Sequence, residues 1–304
     1  MEYALQTFGL TKKYKNALVV DHVSMNVRRG DIYGFVGRNG AGKTTLMRLV
    51  CGLVCKTDGD YSLFGCSDGD KEICRVRKRV GAIIESPAVF PEMTAFQNLK
   101  QQSLALGIRG DDRANELLRY VGLENTSEKK AKNFSLGMRQ RLGIAMALVG
   151  DPDFLILDEP INGLDPQGIV EVRELLLRLH DEKSVTILIL SHILSELSKL
   201  ATRYGFIEKG VLVKEISAEE LDASCRKAVC VTVSDTQKLP LILENKLGLC
   251  DYKILSATAA EIYADVNVGD LAAVLREADV ALYRVNEKDE DLEGYFLNLV
   301  GGDA

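Results

Sequence analysis

The chain has 304 residues, of which 46% are apolar and 27% charged, with a formal net charge of −6. That length fits one large domain plus a smaller one, and the apolar share excludes a chain that is disordered by default. Interspersed charge with an acidic excess argues against broad contact with a nucleic-acid backbone, which needs a basic face, so no nucleic-acid partner is expected.

Residues 2 to 8 and 18 to 27 alternate apolar and polar positions, the pattern of exposed antiparallel strands. Ile32-Tyr33-Gly34-Phe35-Val36 is a compact strand that runs directly into Gly37-Arg38-Asn39-Gly40-Ala41-Gly42-Lys43-Thr44, and a helix is expected from Thr44 to Cys51. The octapeptide matches the Walker A pattern G-x-x-x-x-G-K-[ST]. Glycines let the backbone curl so that successive N–H groups point at phosphate oxygens, and the following helix adds its positive end. Lys43 is placed to reach the β- and γ-phosphates of ATP, Thr44 to ligate Mg²⁺, and Thr45 continues the cradle. The basic run Arg75-Val76-Arg77-Lys78-Arg79 reads as a solvated helix face. A short strand is expected over Val80 to Ile84, bounded by Glu85-Ser86-Pro87.

Helical periodicity extends from Thr94 to about Val149, broken at Gly107 to Asp111 and around Glu124 to Lys132. Phe154-Leu155-Ile156-Leu157 and Val185 to Leu190 are continuous apolar runs, as a parallel sheet buried on both faces requires. The first run ends in two acids. Asp158 is placed to hold Mg²⁺, and Glu159 to polarise an attacking water as general base. Two acids after a strand are commonly only a solvated strand end; the upstream phosphate loop favours the catalytic reading.

The pattern changes near Ile216. After a helix, the expected order is strand 228 to 233, helix 237 to 247, strands 252 to 255 and 261 to 266, helix 269 to 278, strand 280 to 286 and a last helix. Without the flanking helices this is β-α-β-β-α-β, the ferredoxin-like order. The domains expected are therefore 1–215, with a helical part over about 90–150, and an accessory α+β domain over 216–304.

At this point the chain resembles the ABC ATPase family. Phe134-Ser135-Leu136-Gly137-Met138-Arg139-Gln140 is similar to the family's LSGGQ signature, with Leu136 and Met138 replacing the first glycine and the glutamine. Gly163-Leu164-Asp165 resembles the D-loop, His192 sits where the switch histidine belongs, and Tyr14 falls where the family stacks an aromatic ring on adenine. Each has a plainer reading: a helix cap for Ser135, a structural histidine, a surface-strand aromatic. Their order and spacing carry the resemblance, which covers Glu2 to about Glu215. It implies a P-loop NTPase fold, a mixed-sheet core with an antiparallel part and a helical subdomain. It also implies hydrolysis of ATP and a head-to-tail dimer, with itself or a paralogue, in which Ser135 and Gly137 reach the γ-phosphate bound to the partner.

Glu85 departs from the family pattern, which has glutamine there to touch Mg²⁺ and sense the γ-phosphate. A carboxylate at that place favours the metal and repels the phosphate. Together with Ser-Leu-Gly-Met-Arg-Gln-Arg and Asn-Gly-Leu-Asp-Pro-Gln-Gly-Ile, it resembles the ATPases of lantibiotic-immunity and bacitracin-resistance exporters. No run approaches the roughly 18 consecutive apolar residues of a membrane span. A transport role therefore implies a separate permease chain, docked near Thr94 to Arg109, where Phe96 and Leu99 are either contact or core residues. The protein would sit on the cytoplasmic face of the membrane. The seven scattered cysteines lack the spacing of a disulfide framework or zinc site, and reduced thiols are expected. The alternative is a soluble ABC ATPase acting on a ribosomal, DNA or regulatory partner.

Overall fold

The computed structural model describes residues 2–301 apart from 127, 226–227, 265 and 289–291. The chain gathers into two compact units, Met1–Ala218 and Glu219–Ala304.

The first unit begins with β1 (Tyr3–Tyr14), β2 (Ala17–Val23), β3 (Asn26–Arg28) and β4 (Ile32–Val36), followed by α1 (Lys43–Val50). Next come β5 (Asp58–Leu63), β6 (Cys66–Ser67), α2 (Ile73–Val76) and β7 (Val80–Ile83). A helical stretch of α3 (Ala95–Ala105), α4 (Asp112–Tyr120) and α5 (Leu136–Ala147) precedes β8 (Phe154–Asp158) and α6 (Pro166–Lys183). The unit continues through β9 (Thr186–Ser191), α7 (Leu194–Leu197), β10 (Arg203–Glu208) and β11 (Val211–Ser217), and α8 (Ala218–Ser224) follows.

One sheet has the order β11-β10-β4-β9-β8-β7, parallel throughout except for the β10–β11 hairpin. Every residue of β4, β8 and β9 is buried, which is why residues 32–36, 154–157 and 187–190 are unbroken apolar runs. Register then decides where the chemistry goes. Val36 lies opposite Ser191 and Asp158 opposite Leu190, so these three strands end level with one another. The phosphate loop, Glu159 and His192, each next after a strand end, are thereby brought to one edge of the sheet, the usual ligand side of an open parallel sheet. A second sheet, antiparallel in the order β2-β1-β5-β6 with β3 also paired to β1, packs its apolar face onto the core through Leu5, Leu10, Val20, Tyr61 and Leu63.

Thr94 opens α3 with a complete capping box: its side chain accepts from Gln97 N while the Gln97 side chain accepts from Thr94 N. Leu99 is fully buried and Phe96 half-buried, so Leu99 belongs to the core and not to a contact surface. The basic run is only partly the solvated face expected. Arg77 donates to the Tyr61 hydroxyl, and Arg79 pairs with Asp153 at 2.6 Å while its guanidinium lies 4.1 Å from the Phe64 ring centroid. Long arginine stems cover aromatic faces while their charged heads find partners.

The second unit contains β12 (Ala228–Val233), α9 (Leu239–Leu247), β13 (Tyr252–Ile254), β14 (Ala259–Ile262), α10 (Val268–Glu277), β15 (Leu282–Lys288) and α11 (Leu292–Gly301). Its sheet order is β13-β14-β12-β15 with every neighbour antiparallel, the ferredoxin-like arrangement. Val231, Val233, Ala260 and Ile262 face Leu239, Leu243, Leu271 and Leu275 of α9 and α10. The strand expected over 261 to 266 instead ends at Ile262. Ala264 and Val266 still pack on the core, which accounts for the alternating pattern, but Asn267 already caps α10 by accepting from Gly269 N and Asp270 N.

Candidate nucleotide-binding and catalytic site

Gly37 ends β4 at a point where no side chain fits, since a Cβ there would lie 2.5 Å from Ile207 O of β10. Gly42, at φ +101°, caps α1 and passes so close to β2 that a Cβ would meet Val19 O at 2.4 Å. Only glycine adopts that backbone freely and tolerates that approach. Between these fixed points the loop turns back on itself, and Lys43 Nζ donates to Gly37 O at 2.5 Å and to Arg38 O at 3.3 Å. Lys43 is only 7% exposed. Burial lowers its pKa, and the nearby carboxylates of Glu159 and then Asp158 push it back up.

Thr44 Oγ1 donates to Asp158 Oδ2 at 2.8 Å, joining the start of α1 to the end of β8. These are two hard oxygen ligands of the kind Mg²⁺ takes, with its remaining positions left to phosphate and water. Among the described residues no cluster of three His, Cys, Asp or Glu side chains forms a self-sufficient metal cage. The donor set therefore fits a cation that arrives with its phosphates.

Glu159 has φ +50°, a left-handed backbone at a non-glycine residue, held by its N–H donating to Leu190 O at 2.9 Å. His192 Nδ1 lies 2.8 Å from Glu159 Oε2, although that buried oxygen has no donor aimed at it with hydrogen-bond geometry. A carboxylate so placed retains accepting capacity for a water or hydroxyl.

A cavity of about 360 Å³ is bounded by Val19, the loop from Arg38 through Asn39, Gly40, Ala41, Gly42, Lys43 and Thr44 to Thr45, and by Glu85, Asp158, Glu159 and Asn162. Asn162 and Val19 were not singled out from sequence. Asn162 stands three residues after Glu159 in the same turn, with its N–H donating to Glu159 O, whereas Val19 carries no sequence signal. Glu85, at φ +69°, lines the cavity but does not join Thr44 and Asp158. Its carboxylate instead accepts from Arg48 Nη2 at 2.5 Å.

Of the residues expected at the nucleotide, Tyr14, Ser135, Gly137 and Asp165 do not line this cavity, nor do Gly37 and His192, which flank its loop and Glu159. Ser135 caps α5 by accepting from Met138 N at 3.2 Å, and Asp165 caps α6 by accepting from Gly168 N at 3.3 Å. Gly137 faces Gly168 and Leu164, so the signature and D-loop segments adjoin one another outside the cavity wall. Tyr14 is 41% exposed at the end of β1, with Lys12 Nζ 4.7 Å from its ring centroid, and it too lies outside the cavity wall.

Residues 20–162 match the ABC transporter family profile. The chain is 40% identical to the bacitracin transport ATP-binding protein BcrA of Bacillus licheniformis, over 99% of each chain. It is 41% identical to the lantibiotic transport ATP-binding protein SrtF of Streptococcus pyogenes, over 72% of this chain and 92% of that one. Among solved structures, the dimeric ATP-binding cassette MJ0796 bound to ADP and Pi superposes with a TM-score of 0.64 over 70% of this chain and 98% of its own, at 24% identity. This last likeness is one of fold. An intact phosphate loop beside two carboxylates at level strand ends, on a chain alignable from end to end with such proteins, leads to one conclusion: this protein belongs to the ABC transporter ATP-binding family and is an ATPase whose activity is coupled to transport.

Proposed function

We propose that the chain drives a separate membrane permease that exports a peptide antibiotic or a similar amphipathic compound, working at the cytoplasmic face of the membrane. The observation that carries this reading is the 40% identity to a bacitracin transport ATP-binding protein across 99% of both chains, which takes in the second unit as well as the first. Among the described residues no helix is long and apolar enough to cross a membrane; this reading gives the translocation path to a partner chain.

In this reading Lys43 and the N–H groups from Arg38 to Thr45 hold the triphosphate, Thr44 and Asp158 hold Mg²⁺, and Glu159 takes the proton of the attacking water. Held by Thr44 and Asp158, Mg²⁺ would supply positive charge to offset the charge that develops on the phosphates. His192 steadies Glu159 and the terminal phosphate. Ser135, Gly137 and Asp165 act on the nucleotide of a second copy or a paralogue. Their position outside the cavity of their own chain supports such a dimer, as does the fold likeness to a dimeric cassette. Tyr14 stacks on the adenine. The permease docks in a mostly apolar cavity of about 540 Å³ walled by Leu53, Ile84, Pro87, Leu106 and Met146, which adjoins the Glu85 segment.

The test is affinity purification of the tagged chain from detergent-solubilised membranes, followed by mass spectrometry. A multi-spanning protein recovered in near-equal amount is the expected result. Recovery of ribosomal or DNA-associated proteins alone would overturn the transport reading. Deletion of the gene should also raise sensitivity to bacitracin-like or lantibiotic peptides, and unchanged sensitivity across both classes would remove the proposed cargo.

A further inference from the structure

The carboxylate of Glu85 raises an electrostatic problem that Arg48 answers. Among the charged side chains bounding the nucleotide cavity, Glu85, Asp158 and Glu159 are acids and only Arg38 and Lys43 are bases. A cavity with an acidic excess repels a triphosphate, and an isolated carboxylate at position 85 adds to that repulsion. Glu85 is not isolated. Arg48 projects from the last turn of α1, the helix that begins at Lys43, and its Nη2 lies 2.5 Å from Glu85 Oε1. The Arg48 backbone is itself fixed, since its carbonyl accepts from Leu53 N at 2.9 Å and Val54 N at 3.3 Å. Glu85 is held in a left-handed backbone, at φ +69°.

The side chains are 36% and 64% exposed, so the pair adds little stability. Its consequence is where the charge sits: the Glu85 carboxylate is turned to a cation, and the pair as a whole meets the cavity as neutral. We infer that Arg48 is the charge partner and positioning residue that makes a glutamate at position 85 compatible with binding of ATP. Position 85 also stands between two cavities. Glu85 itself lines the nucleotide cavity, while Ile84, Ser86 and Pro87 on either side line the apolar cavity proposed above for the permease. The Arg48–Glu85 pair thereby ties the helix behind the phosphate loop to the segment that leads to the docking surface.

This inference rests on the cavity being the ATP site, and the experiment separates the two. Titration of the purified full chain with ATP, once with Mg²⁺ and once in EDTA, is compared for the wild type, Arg48→Gln, Arg48→Lys and the double variant Arg48→Gln/Glu85→Gln. Arg48→Gln should raise the Kd about tenfold, and more in EDTA, where the ligand carries its full negative charge. Arg48→Lys, which keeps the charge, and the double variant, which removes both charges, should each return to within about threefold of the wild type. A double variant that binds as weakly as Arg48→Gln would mean that Arg48 acts through the packing of α1, and the inference falls. Wild-type affinity in Arg48→Gln sinks it equally. If the wild type itself fails to bind ATP, the nucleotide reading of the cavity fails instead.

Discussion

The nucleotide cavity and the surface bearing Ser135, Gly137 and Asp165 belong to the same compact unit, yet their polar groups are engaged differently. Around the cavity, side chains from distant parts of the sequence meet one another: Thr44 donates to Asp158, His192 lies beside Glu159, and Arg48 donates to Glu85. At the signature surface each polar side chain serves its own helix, Ser135 capping α5 and Asp165 capping α6. Long-range pairing of acids with a hydroxyl and an arginine, beside a buried lysine, marks a site prepared for charge. Local capping marks a rigid face that is ready to meet something. The contrast supports a chain that contributes one complete half-site and one complementary half-site.

Substitutions can break this comparison, and they rank by their expected effect on hydrolysis. Lys43→Ala removes a buried ammonium held between two carbonyls and should lower turnover by ~10³-fold or more, together with ATP affinity, because charge stabilisation dominates phosphoryl transfer. Retained hydrolysis would mean that the cavity is not the site. Glu159→Gln keeps the shape of the side chain but not its basicity. Turnover should fall ~10²–10⁴-fold with ATP binding intact, and wild-type turnover would refute the general-base role. Measuring both quantities on one preparation separates binding from chemistry.

Ser135→Asp sharpens the comparison from the other side. Aspartate caps a helix about as well as serine, so the melting temperature should hold, whereas Ser135→Ala should cost about 1 kcal/mol. An added carboxylate facing a partner's γ-phosphate should nonetheless abolish ATP-dependent dimerisation, read by size-exclusion with light scattering on the Glu159→Gln background. Normal dimerisation would leave Ser135 as a cap and nothing more. The smallest effect on hydrolysis belongs to the second unit. Leu239→Ala, at a fully buried position of α9, should destabilise that unit by about 2–5 kcal/mol while leaving ATP affinity within twofold of the wild type. A large loss of affinity would show that the second unit supports the nucleotide site.

Much of the site was legible because its parts are contiguous in sequence. Residues 37–45 are a loop whose chemistry is carried by the backbone and one lysine, and Asp158 and Glu159 directly follow an apolar strand. The ferredoxin-like order of the second unit was legible for a similar reason, since two-residue and 3.6-residue periods alternate along it. The strand ending at Ile262 was misjudged because Ala264 and Val266 keep a two-residue rhythm while packing outside the sheet. The basic run at 75–79 is a solvated face only in part, because nothing in its sequence reveals that Tyr61, Phe64 and Asp153 engage Arg77 and Arg79.

The sequence by itself marked out a phosphate-binding loop, because such a loop needs only a strand, nine adjacent residues and the start of a helix. It also determined the family, through the order and spacing of short motifs. Only the tertiary structure decided which of the named residues meet. Lys43, Thr44, Asp158 and Glu159 converge because β4, β8 and β9 end level, Ser135 and Asp165 cap their own helices outside the cavity wall, and Glu85 is paired with Arg48. The physical reason is the range of the interactions. Capping and loop geometry are local and are written in neighbouring residues. Side-chain pairing joins positions 37 and 114 residues apart, and strand register sets Val36 against Ser191 and Asp158 against Leu190; these partners appear only when the sheet is assembled.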